Sequence, residues 1–163
     1  MGNQNKYKTF GKNRSLRLRK FNYSQPFYVY FLTLNARKRR AYFKVGSLAQ
    51  MVADGIRYYA KTRNYRLIAY CIMPDHVHLL IQAMEGAKDL TDLVRDFKKF
   101  TTTRSWSHGI NGKLWQRGYY EHIVRKSESI SAIAEYILNN PVKKGIVKSR
   151  EEYPFMQIVD YPV

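Results

Sequence analysis

The sequence predicts an α+β fold in which an antiparallel sheet of ferredoxin-like order carries helices on one face and gains one further helix near its C-terminal end. Three observations predict it. Short apolar runs read as strands, longer stretches carry apolar residues at three-and-four spacing, and the two kinds alternate as strand, helix, strand, strand, helix, strand. The chain has 163 residues, 45% of them hydrophobic, which suits one core rather than two full domains. No internal repeat or low-complexity linker marks a boundary, so residues 23–163 are expected to form a single domain behind a basic, flexible segment at 1–22.

The first strand is read at 26–34, where Phe27-Tyr28-Val29-Tyr30-Phe31-Leu32-Thr33-Leu34 is rich in aromatic and β-branched residues. A helix is placed at 47–62, and apolar runs at 66–73 and 77–83 make the next two strands. The helix at 87–105 is the clearest: Leu90, Leu93, Val94, Phe97 and Thr101 make its stripe, while Lys88, Arg95, Lys98 and Lys99 lie mostly off it. A strand at 119–125 completes the split βαβ pattern. The added helix, at 128–139, has Ser127 available as its cap, Glu128 at the positive end of its dipole and Pro141 as its stop. Ile130, Ile133, Ala134, Ile137 and Leu138 form its buried stripe.

Charge defines the class of partner. Lys and Arg number 29 against 12 Asp and Glu, a net charge of +17 with a pI near 10.0. So basic a chain, with enough apolar content to fold, points first to nucleic acid and less to an acidic membrane surface. The first acidic residue is Asp54; before it stand Arg17, Arg19 and Lys20 in the leader and the run Arg37, Lys38, Arg39, Arg40 after the first strand. These are the candidate DNA-binding residues, the second group on a loop fixed to the fold. A single cysteine, Cys71, excludes a disulfide scaffold and a multi-cysteine zinc cluster. No signal-peptide core and no run of roughly 20 apolar residues is seen, so a cytoplasmic, nucleoid-associated protein that avoids membranes is expected.

The segment Met73-Pro74-Asp75-His76-Val77-His78-Leu79-Leu80 carries the chemistry. On a strand, a period of two sets His76 and His78 side by side on one face. Two readings stand: a pair that shares a divalent cation, or two histidines hydrogen-bonded locally. On the added helix, Tyr136 lies just outside the buried stripe, with Asn140 one turn later on the same side. Tyr136 reads either as facing whatever the helix packs against or as an ordinary boundary tyrosine with its ring buried and its hydroxyl wet. Asn140 precedes a proline, which disfavours helical geometry there and leaves its direction less fixed. His122 shares a strand face with Tyr120; this pair either supports the site or contacts DNA, or is structural.

Taken with Leu114-Trp-Gln-Arg-Gly-Tyr-Tyr-Glu-His-Ile-Val-Arg125 and Tyr136-Ile-Leu-Asn-Asn-Pro-Val-Lys-Lys-Gly-Ile146, the histidine segment resembles the single-tyrosine HUH transposases of the insertion-sequence 200 type, and most of all the REP-associated tyrosine transposases. The resemblance spans about residues 26–158. It implies an RRM-like or ferredoxin-like sheet with an added catalytic helix. It implies Tyr136 as nucleophile, His76 and His78 as metal ligands and Asn140 as the third ligand, with Mg²⁺ or Mn²⁺ as cofactor. Many members carry Gln at the third position, and Asn is one methylene shorter. The implied activity is nicking and rejoining of single-stranded or hairpin DNA through a 5′-phosphotyrosine, by a monomer or homodimer. Two other functions fit parts of the pattern: a non-catalytic RRM-like protein that binds single strands, although the usual RNP aromatic pattern does not occur, and a metal-dependent nuclease that uses water.

Overall fold

The computed structural model describes Asn22 and residues 25–160. Arg17, Arg19, Lys20 and the leader lie outside the described residues. The elements run β1 (Val29–Asn35), α1 (Gly46–Thr62), β2 (Tyr65–Met73), β3 (His76–Ala83), α2 (Leu90–Ser105), β4 (Tyr120–Ile123), α3 (Ile130–Leu138), α4 (Asn140–Lys143) and β5 (Met156–Ile158). They form one sheet of order β4-β1-β3-β2-β5, antiparallel throughout. The first four strands keep the split βαβ order; β5 extends the sheet at the β2 edge.

Alternation along the strands divides the core into two layers. Tyr30, Leu32 and Leu34 of β1, Tyr70 and Ile72 of β2, and Val77, Leu79 and Ile81 of β3 face α1 and α2. α1 meets them with Leu48, Ala49, Val52, Ala53 and Ile56, and α2 with Leu90, Leu93, Val94 and Phe97. The two helices approach closely at Gly55, where a Cβ would stand 3.2 Å from Thr101 Cγ2 and 3.3 Å from a Phe97 ring carbon. The opposite face, with Val29, Phe31, Ile68, Cys71, Met73 and Leu80, is covered by Ile133, Ala134, Ile137 and Leu138 of α3. A register shift between Leu67 and Ala69 lets β2 present Ile68 and Ala69 to this second layer. Helices on one face therefore describes α1 and α2, and the added helix takes the other face.

Several boundaries move for local reasons. β1 starts at Val29 because Pro26 and Phe27 form a turn, with Phe27 at φ 71°. α2 starts at Leu90, since the Asp89 side chain accepts from Thr91 N and caps it. Ser129, not Ser127, caps α3 by accepting from Ala132 N. Glu128 stands just before that cap, outside the first turn, and its carboxylate binds His122 and the Arg125 N–H. The disfavour for helical geometry before proline is also overcome: Asn140 opens α4, and Pro141 sits in the first turn, where its missing N–H has no partner to lose.

Candidate active site

The β3 pleat places His76, His78 and Leu80 on the α3 face. Thr33 of β1 lies directly across from His78, and Asn35 across from His76. Both imidazoles are buried, at 8% and 5% exposure. Their Nε2 atoms face each other 3.1 Å apart, and each Nδ1 has its own partner: Asp75 Oδ1 at 2.6 Å for His76 and Thr33 Oγ1 at 2.9 Å for His78.

These contacts fix much of the proton arrangement. An ionised carboxylate only accepts, so His76 Nδ1 carries its proton toward Asp75, and Nε2 is the atom turned toward His78. The Thr33 hydroxyl both donates and accepts, so it serves either tautomer of His78. Burial holds the His78 pKa well below its ordinary value, with the neighbouring His76 adding to the effect, so His78 is neutral at pH 7. The Asp75 carboxyl is lowered, first by its hydrogen bond to His76 and also by the Arg39 guanidinium.

The 3.1 Å spacing suits a shared cation. Two nitrogens about 2.1 Å from one ion, at tetrahedral or octahedral angles, stand about 3.0–3.4 Å apart. Among the described residues no group of three His, Cys, Asp or Glu side chains forms a metal site, so a third ligand here has to be of another kind. Asn140 is buried and its Nδ2 donates to the Tyr136 carbonyl at 2.9 Å, so its amide oxygen is the atom that remains able to ligate.

α3 brings Tyr136 to this place in the same chain. Its ring centroid lies 6.3 Å from that of His78 and 6.2 Å, edge-on, from that of Phe31. Burial raises the pKa of its phenol. Lys143 Nζ stands 5.0 Å from the centre of the same ring. Tyr136, Asn140 and Lys143 follow at i, i+4 and i+7, one stripe across α3 and α4.

Tyr120 and His122 lie on the site's sheet face, paired with Thr33 and Phe31. His122 Nε2 lies 2.9 and 3.0 Å from the two oxygens of Glu128, which ties β4 to the turn before α3. Arg37, Lys38, Arg39 and Arg40 are exposed where β1 ends, beside the His76 end of β3. Arg39 differs from its neighbours by an ion pair with Asp75, Nε to Oδ2 at 3.0 Å. Sequence reasoning missed Asp75, Thr33 and Lys143. Of these only Lys143 left a signal, its seven-residue spacing from Tyr136.

Comparison with known proteins agrees with this arrangement. The family described as "Transposase IS200 like" matches residues 26–140. The chain is 30% identical to the REP-associated tyrosine transposase of Escherichia coli K12 over 128 residues, covering 78% of this chain and 74% of that protein. It superposes with a TM-score of 0.69 on a REP-associated tyrosine transposase solved bound to a REP hairpin, at 27% identity, over 86% of this chain and 82% of that one. The sheet order, the paired histidines and these matches together place the chain in the IS200-like transposase family, whose activity is DNA strand cleavage and transfer.

Proposed function

We propose that the protein nicks and rejoins single-stranded DNA beside a hairpin, with Tyr136 as the nucleophile. The observation that carries the reading is the placement of Tyr136, 6.3 Å ring to ring from His78, on the one sheet face that holds the histidine pair. The Tyr136 phenol oxygen attacks the scissile phosphorus as its proton leaves to solvent. The new O–P bond forms as the P–O3′ bond breaks, and the 3′ oxygen takes the electron pair and a proton. A 5′-phosphotyrosine and a free 3′ hydroxyl result; a 3′ hydroxyl attacking that phosphotyrosine reverses the step, so rejoining needs no ATP.

His76, His78 and the Asn140 oxygen are the residues that would hold a divalent cation. Bound there, Mg²⁺ or Mn²⁺ would draw charge from the non-bridging oxygens and the leaving oxygen. Asp75 and Thr33 keep the two imidazoles aimed at one point. Lys143 adds positive charge beside the phenol, whose burial otherwise opposes ionisation. Exposed Arg37, Lys38 and Arg40 meet backbone phosphates near the site. Since every part comes from one chain, a monomer suffices for a single nick.

A denaturing gel with a labelled single strand bearing a hairpin tests the reading. Wild-type protein with Mn²⁺ is expected to give a covalent protein–DNA band, and EDTA is expected to abolish the band while leaving hairpin binding. Tyr136→Phe should lose the band and keep DNA affinity, whereas Tyr120→Phe should retain most of the reaction. Cleavage by Tyr136→Phe without a covalent product would mean that water is the nucleophile.

A further inference from the structure

The groups that hold the histidines lead to one more assignment, which rests on the metal-site reading above. Asp75 ends the two-residue turn between β2 and β3, and its two oxygens serve different partners: Oδ1 accepts from His76 Nδ1 at 2.6 Å and Oδ2 from Arg39 Nε at 3.0 Å. Arg39 also donates through Nη1 to Asn35 Oδ1, and Asn35 is the residue directly across the ladder from His76. The guanidinium therefore spans the end of β1 and the β2–β3 turn. The backbone on both sides is tied as well, since Ala36 N donates to Asp75 O at 2.9 Å.

The loop adopts an uncommon conformation where it makes this contact. Lys38 and Arg39 have φ of 55° and 54°, consecutive non-glycine residues in the left-handed region that L side chains rarely occupy. An exposed basic loop meets phosphates from many backbone shapes, so phosphate contact alone does not call for two such residues in a row. What this loop gains is a forked donor fixed on Asp75 and Asn35.

We infer that Asp75, clamped by Arg39, is the positioning residue that fixes His76 for cation binding, and that Arg39 serves the metal site through Asp75 rather than acting as one more phosphate contact. A carboxylate on Nδ1–H sets the tautomer and the ring plane, and it makes the opposite nitrogen a better donor to a cation. Without it His76 turns about its χ2 and presents either nitrogen. Arg39 keeps the carboxylate in the one rotamer that reaches the ring.

The test is Mn²⁺ titrated into metal-free protein without DNA and followed calorimetrically, with hairpin affinity in EDTA measured alongside. His76→Ala is the control and is expected to abolish binding. Asp75→Asn and Asp75→Ala are each expected to weaken Mn²⁺ binding by the folded protein by about 10–100-fold, with hairpin affinity in EDTA unchanged and only a modest fall in melting temperature. Arg39→Gln should weaken it by a smaller factor, and should add nothing on the Asp75→Ala background. Wild-type Mn²⁺ affinity in the Asp75 variants overturns the role of Asp75. An Arg39→Gln effect confined to DNA binding, or undiminished when Asp75 is absent, overturns that of Arg39. Normal Mn²⁺ binding by His76→Ala is a different failure, because it removes the metal site itself.

Discussion

Thr33 shows how much one side chain decides at the smallest scale. Its hydroxyl is the Nδ1 partner of a buried imidazole, so Thr33→Val keeps the strand and the shape but leaves that nitrogen unpaired. The expected outcome is about a tenfold or greater loss of Mn²⁺ affinity of the folded protein, measured by calorimetry, beside a stability loss of about 1–3 kcal/mol measured by thermal unfolding. Unaltered affinity would mean that the His78 ring is oriented by other contacts. Cys71 sits on the same sheet face and behaves oppositely. Its thiol is fully buried and pushed up to about 12, which leaves about one molecule in ten thousand as thiolate at pH 8. A thiol reagent is therefore expected to label Cys71 only as fast as the domain opens, and labelling at the rate of a free thiol would contradict this burial.

At the scale of elements, α3 is held to the sheet by a short apolar stripe and one cap. Ile137→Ala empties a fully buried place between α3 and β2, and about 2–4 kcal/mol of stability should go with it. Adduct formation well below the melting temperature should fall too, because the same stripe sets the position of Tyr136. An adduct rate per folded molecule equal to wild type would show that the helix does not aim the tyrosine. The order of the first four strands and three long helices was legible because each element carries its own period. β5 was not, since Met156-Gln157-Ile158 is too short to show alternation and is a strand only through pairing with β2. His76, His78 and Tyr136 could be read as one site only through the resemblance of their motifs to the transposase family, since strand face and helix edge alone left a local role open for each. Asp75 was hidden inside what reads as ordinary turn chemistry, Pro74-Asp75, and Arg39 inside a run of four like charges. Neither segment shows which partner its side chain selects.

For the molecule as a whole, the net charge of +17 makes affinity for any polyanion depend on salt. Substituting Arg37, Lys38 and Arg40 by Gln, with Arg39 kept, should lower the slope of log affinity against log salt by about 2 for single-stranded DNA. A slope that does not move would put the phosphate path on another surface. Among the described residues no helix is long and apolar enough to cross a membrane. The placement of Tyr136 beside the histidines of its own chain also has a stoichiometric consequence. Under the phosphotyrosine reaction proposed above, a chain that uses Tyr136 holds one severed 5′ end at a time. Until a 3′ hydroxyl comes back to that end, the same chain is closed to a second cut. Two breaks then require either two chains or two rounds in succession, and the order of events is set by how many tyrosines are present rather than by any timing device.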